Sequence, residues 1–170
     1  MKVLGIDPGT AVLGYGVVEG GPGFASRLLE CGTLTTTPRD TLPARLRVIH
    51  DSVSALIARH APDALAVESA FHGKNVRTTI ALSQARGVIL LAGEEAGLAI
   101  GEYSPAQVKK AVVGRGAAMK PQVSYMLTQL LRLKAPPSPS DAADGVAVAL
   151  THLLLAGRRE LFVRRTVAVR

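Results

Sequence analysis

The sequence predicts an α/β fold built on a mixed five-stranded sheet flanked by helices. Three observations carry this. The first 35 residues alternate short apolar runs with Pro-Gly and Gly-Gly turns, as in an antiparallel meander. From Thr41 onward, apolar residues recur at spacings of three and four, the mark of amphipathic helices. Two later apolar runs, 64–67 and 98–103, are each entered through such a helix, which gives a sheet of mixed direction.

Val3 to Ile6 is a strand buried on both faces that delivers one carboxylate, Asp7, at its end. Pro8-Gly9 turns the chain, because proline presets φ and glycine accepts positive φ. Leu13 to Val18 returns as the second strand, and Phe24 to Leu34 is the third. Leu42, Leu46, Ile49, Val53, Leu56 and Ile57 then form one stripe of a helix ending at His60, before Pro62-Asp63. Ala64 to Val67 is a fourth strand that again hands over an acid, Glu68. Phe71 to Val76 reads as a loop, and a long helix reaches about Glu95 with Ile80, Ala81, Ala85, Val88, Leu91 and Ala92 on its apolar side. Its many small residues suit burial or a subunit interface, and Gly97 closes it. After the strand Leu98 to Tyr103, Ser104-Pro105 opens a short helix to Val113. A further helix is expected from Lys120 to about Leu133. The proline-rich linker 135–140 is neither helix nor central strand. Ser140 then caps a mostly apolar helix that reaches Leu155.

A chain of 170 residues, 48% hydrophobic and 19% charged, suits one globular domain. Its single cysteine, Cys31, excludes a disulfide framework and a cysteine-based zinc site and suits a small buried apolar position. The histidines 50, 60, 72 and 152 lack metal-ligand spacing. With no leader pattern and no span of about 20 apolar residues, the expectation is a cytoplasmic protein with no membrane partner. The net charge of +7 is uneven. Five arginines against Glu160 crowd residues 158–170, so the organisation expected is a domain over 1–157 and a flexible basic tail over 158–170.

The chemistry lies in four acids. An aspartate at the end of a buried strand is costly unless a charge compensates it; the alternative is a turn in which Asp7 serves its own backbone. Asp141 and Asp144, three apart in the first turn of a helix, project from one face, where they also offset the helix dipole. If Asp7, Glu68, Asp141 and Asp144 converge, their repulsion demands a hard divalent cation such as Mg²⁺ or Mn²⁺. Two such ions roughly 4 Å apart serve phosphodiester displacement. With those charges cancelled, the rest of the body is basic enough to attract a nucleic-acid backbone.

These residues carry a resemblance. Gly5-Ile6-Asp7-Pro8-Gly9 with Gly14-Tyr15-Gly16, Glu68 followed by Phe71, Gln84-Ala85-Arg86-Gly87, Gln107-Val108-Lys109, Val112-Val113-Gly114 and Asp141-Ala142-Ala143-Asp144 resemble the RuvC family, the bacterial Holliday junction resolvases. The likeness covers residues 1 to about 155. It implies an RNase H-like fold and a homodimer that nicks two opposing strands of four-way junction DNA symmetrically, during recombination and repair. It also implies two Mg²⁺ per site, with Mn²⁺ able to substitute, and the RuvA-RuvB branch-migration complex as partner. By position, Asp7, Glu68, Asp141 and Asp144 would be catalytic metal ligands. Lys109 and Lys120 would lie near the cleft, Phe71 would contact bases, and the helix after Val76 would form the dimer interface. Ser69-Ala70 and His72-Gly73 depart from the residues expected around that aromatic, and the arginine-rich tail lies outside the likeness.

Three rivals share parts of this pattern. A small RNase H-like nuclease acting on RNA has a similar opening strand, but the Asp-x-x-Asp helix favours the resolvase. Actin-like or sugar-kinase ATPases also open on Gly-Ile-Asp-x-Gly-Thr, yet need a second half that this chain does not repeat. A non-cleaving junction-binding protein would gain nothing from four acids that repel phosphate.

Overall fold

The computed structural model describes residues 1–21, 24–69 and 75–167, with side chains in the last stretch to residue 156. In chain order the elements are β1 (Lys2–Asp7), β2 (Val12–Gly21), β3 (Phe24–Thr35), α1 (Leu42–His60), β4 (Ala64–Glu68), α2 (Val76–Glu95), β5 (Ala99–Tyr103), α3 (Pro105–Val113), α4 (Lys120–Leu130) and α5 (Ser140–Val167). The sheet order is β3-β2-β1-β4-β5, which makes β1 the central strand. It runs antiparallel to β2 and parallel to β4, and β5 continues the parallel half. Val3, Leu4 and Ile6 have no exposed surface, as expected of a strand covered on both faces.

Alternation along the strands sorts their side chains into two layers. Leu4, Ile6, Leu65 and Val67 face α1 and α2. Val3, Ala64 and Ala66 face the layer made by α3, α4 and α5. Half-buried Cys31 packs against that second layer. No helix among the described residues is long and apolar enough to cross a membrane.

α5 lies directly on β1 and β2, and two glycines set how close it comes. A Cβ on Gly5 would sit 2.3 Å from the Ala149 backbone nitrogen, and one on Gly145 would sit 2.5 Å from Tyr15 Cα. Backbone meets backbone at this seam, so no side-chain shift relieves an added methyl.

Local chemistry fixes the ends of the helices. Ser104 Oγ accepts from the Gln107 N–H at 3.3 Å while Gln107 Oε1 accepts from the Ser104 N–H at 2.8 Å, a reciprocal cap for α3. Gly97, at φ +67°, ends α2 as expected, its N–H donating to the Glu94 carbonyl and that of Leu98 to the Gly93 carbonyl.

Three helix boundaries and one helix face differ from expectation, and β2 runs on to Gly21, three residues past Val18. α4 stops at Leu130, not Leu133, because Arg132 turns left-handed at φ 52°. The turn buries Leu131 and packs Leu133 against the same core. Ser140 is the first residue of α5 and not its cap; the Pro139 carbonyl accepts from the Ala142 and Ala143 N–H groups. α5 also continues past Leu155 to Val167, through residues with no proline to stop it. On α2, Ala85, Ile89, Ala92 and Gly93 are the buried positions, whereas Ile80 and Leu91 are about half exposed.

Gly145→Ala forces α5 away from β2. It should lower stability by about 3 kcal/mol, at the upper end for overpacking because backbone must move, read as a fall in the urea midpoint.

Candidate active site

Parallel pairing of β1 with β4 matches Ile6 to Val67, so Asp7 and Glu68 end neighbouring strands side by side. Ile6 and Val67 point into the α1–α2 layer, and alternation turns both acids toward α5. The first turn of α5 passes over Gly14, the register partner of Asp7; a Cβ there would sit 1.8 Å from the Asp141 carbonyl oxygen. That approach brings Asp144 over the strand ends.

The result is a cleft of about 220 Å³. Asp7, Glu68 and Asp144 form its acidic wall, Lys109 and Lys120 its basic one, and Pro105, Val108, Val123 and Ala147 its apolar lining. Of the four expected acids, three line the cleft. Asp141 stands to the side, close enough for its charge to act on Asp7 and Lys120. The expected lysines are both present. Phe71 lies outside the described residues.

The acids are held where their charges are costly. Burial pushes the Asp7 carboxyl up to about 6, with Asp144 and Asp141 adding to the rise and Lys120 opposing it. Burial likewise pushes Glu68 up to about 7, helped by Asp7 and Asp144 and opposed by Lys109 and Lys120. Lys120 Nζ donates to Asp144 Oδ2 at 2.8 Å, and this hydrogen bond, more than any other cause, raises the lysine above its ordinary value.

Among the described residues no three His, Cys, Asp or Glu side chains stand together as a ready ion cage. The Lys120 ammonium is the counter-charge at Asp144 instead. The donors themselves suit a hard divalent cation. They are carboxylate oxygens with no histidine or thiolate among them, and their repulsion falls if a cation joins them.

Sequence reasoning missed the residues that hold the turn after Asp7. Thr36 donates its N–H to the Ala11 carbonyl at 2.9 Å and its hydroxyl to the Thr10 carbonyl at 2.5 Å. Arg45, from α1, donates through Nε to Thr36 Oγ1 at 3.0 Å and through Nη2 to the same Thr10 carbonyl. These partners lie 26 and 35 residues from Thr10, beyond any local motif.

A mixed sheet whose first and fourth strands end in acids, met by acids at the head of the last helix, defines the RNase H-like class of nuclease. A sequence model for the family described as "Crossover junction endodeoxyribonuclease RuvC" matches residues 3–152, and the chain belongs to the RuvC family. The crossover junction endodeoxyribonuclease RuvC of Salinispora arenicola is 48% identical over 159 residues, covering 94% of this chain and 91% of that protein. The one from Syntrophomonas wolfei is 47% identical, covering 90% and 88%. Among solved structures, Thermus thermophilus RuvC in complex with Holliday junction substrate aligns at a TM-score of 0.88 and 39% identity, covering 93% of this chain and 96% of that one. The yeast mitochondrial Holliday junction resolvase Ydc2, at 13% identity and a TM-score of 0.62 over 89% and 78% of the two chains, shares the fold.

Both raised carboxyls bind protons more tightly folded than unfolded, so their penalty is absent below about pH 4 and complete above about pH 7. In EDTA the thermal midpoint should therefore fall between pH 5 and pH 8. Asp7→Asn should recover about 1–2 kcal/mol at pH 8, less than the full shift because the site is partly solvated. Added Mg²⁺ should raise the wild-type midpoint at pH 8.

Proposed function

We propose that this chain resolves Holliday junctions by nicking two opposing strands symmetrically, with Mg²⁺ as its cofactor. The observation that carries the reading is the cleft itself: acids from two adjacent strand ends and one helix head, faced by two lysines, in a RuvC-family chain. The family's dependence on divalent metal fits that donor set.

Asp7, Glu68 and Asp144 would hold the cations, with Asp141 completing the set. Two bound Mg²⁺ ions, or Mn²⁺ in their place, would supply the water activation and leaving-oxygen stabilisation of an in-line displacement. The remaining work falls to this chain's own side chains. Lys109 and Lys120 draw the scissile phosphate toward the acids and offset their repulsion. Val108, Val123 and Ala147 keep bulk water from one side of the cleft, which strengthens each charge interaction inside it. Phe71, three residues after Glu68, is proposed to stack on an unpaired base, a contact worth about 1–3 kcal/mol.

Symmetric nicking needs two sites, and we read the protein as a homodimer. Val76, Ile80, Gly87 and Leu91 fall on one stripe of α2, exposed to solvent, and a Cβ on Gly87 would meet nothing within 4 Å. An apolar stripe with a small residue at its centre suits packing against its own copy. The proposal extends to a cytoplasmic setting, to the RuvA-RuvB branch-migration complex as partner, and to a division into a nuclease domain over 1–157 and a basic segment over 158–170.

Asp7→Asn should abolish nicking of a synthetic mobile four-way junction while junction affinity, measured in EDTA, is retained. Paired nicks confined to the junction and absent in EDTA support the reading; unchanged cleavage by Asp7→Asn, or preferential cutting of an RNA–DNA hybrid, overturns it. Deleting residues from Arg158 onward should reduce the salt slope of junction binding by roughly one for each arginine that meets a phosphate, with the cut position unmoved.

A further inference from the structure

We propose that Tyr103 and His152 are a positioning pair that fixes Glu68 and Lys109 relative to Asp144, an inference that rests on the nuclease reading above. Tyr103 Oη lies 2.9 Å from His152 Nδ1, and the two rings meet edge to face with centroids 5.9 Å apart at 82°. His152 stands two turns beyond Asp144 on α5, about 12 Å along the helix axis. It is too far to touch a phosphate at the acids, so the pair acts through other residues.

Tyr103 occupies a joint in the site. It is the last residue of β5 and the register partner of Glu68. Its carbonyl accepts from the Ser69 N–H at 2.8 Å, which fixes the chain immediately after that acid. The next residue, Ser104, caps α3, whose Val108 and Lys109 line the cleft. One side chain therefore sits where the positions of Glu68 and Lys109 are both set, and it bonds the helix that carries Asp144.

The pair also has a reserved space. A Cβ on Gly101 would lie 2.5 Å from His152 Nδ1 and 2.9 Å from Tyr103 Oη. β5 thus gives up a side chain two residues before Tyr103, where the imidazole and the phenol meet. α5 is seated on β1 and β2 by backbone contact at Gly5 and Gly145. At the β5 edge the Tyr103–His152 hydrogen bond makes the corresponding tie. Without it, β5 and the start of α3 keep only the strand pairing with β4 and the apolar contacts of Val108 and Val112 to hold them against α5.

The test is Mn²⁺ binding to the full chain without DNA, followed by loss of the free-ion EPR signal. It is read beside the Mg²⁺ midpoint for junction nicking, junction affinity in EDTA, and thermal stability. Tyr103→Phe and His152→Ala should each weaken Mn²⁺ binding about tenfold, as loss of an outer support for metal ligands does. The Mg²⁺ midpoint should rise in parallel, with junction affinity unchanged. His152→Asn, whose amide reaches the Nδ1 position, should recover most of the loss, and Gly101→Ala should reproduce it by wedging the pair apart. Should His152→Ala fail to fold, Tyr103→Phe and Gly101→Ala carry the test. Unaltered Mn²⁺ affinity in Tyr103→Phe, with only the thermal midpoint lowered, overturns the proposal and leaves the pair a packing feature. A wild-type chain that binds Mn²⁺ but does not nick the junction refutes the nuclease reading, and the Mn²⁺ titrations still decide the role of the pair.

Discussion

The cleft depends on how closely α5 lies against β1 and β2. Asp7 is fixed by the sheet and Asp144 by the helix, so their separation is set by the distance between two backbones. Glycine at positions 5 and 145 makes that distance short, because any Cβ there would strike main-chain atoms of the other element. The same closeness buries Asp7 and raises its pKa to about 6. A looser seam would give more comfortable acids and a poorer site. Here packing and charge are one constraint, and the protein satisfies the packing half in full.

The charge half is met only in part. Lys120 reaches Asp144, while Asp7 and Glu68 keep raised pKa values despite two lysines nearby. Local discomfort of this kind concentrates where function sits. Elsewhere the fold obeys the ordinary rules: β1 and β4 are buried, Asn75 and Ser104 cap α2 and α3, and among the described residues one buried side-chain nitrogen, Arg86 Nε, has no hydrogen-bond partner. That nitrogen belongs to a guanidinium paired with Glu102 on the opposite side of the sheet from the acids.

Much of this was legible in the sequence, for stateable reasons. An apolar run ending in a single acid is conspicuous, and it occurs at Asp7 and again at Glu68. The Asp141–Asp144 spacing reads off the helical period directly. Two things were out of reach. Long-range hydrogen bonds such as Arg45 to Thr10, or Tyr103 to His152, join residues 35 and 49 positions apart, and no local pattern announces them. The buried face of α2 was ambiguous for a different reason. Its apolar residues surround the helix, so periodicity identified a helix without saying that Ala85 and Ile89 go in while Ile80 and Leu91 stay out. At the end of α4 an arginine takes a conformation that glycine usually supplies, and sequence gives no warning of such a choice.

The two walls of the cleft come from different kinds of support, and this bears on how each responds to a ligand. The acidic wall rests on β1 and β4 and on the seam with α5, where the core is buried and backbone meets backbone. The basic wall rests on α3 and α4, which are short, cover only one layer, and are joined through the exposed Gly114-Arg115 turn. Lys120 is the first residue of α4 and largely exposed, so its tie to Asp144 is a bond between a fixed acid and a solvated amine. Exposed pairs of this sort contribute about 0–1 kcal/mol and are readily exchanged. On the nuclease reading proposed above, a phosphate entering the cleft would compete with Asp144 for this ammonium. Lys120 stands on α4, apart from the strands that hold Asp7 and Glu68, so such an exchange would leave those strands in place. On that reading, a buried acidic floor beside a solvated basic wall would let one site tolerate its own repulsion and still accept a polyanion.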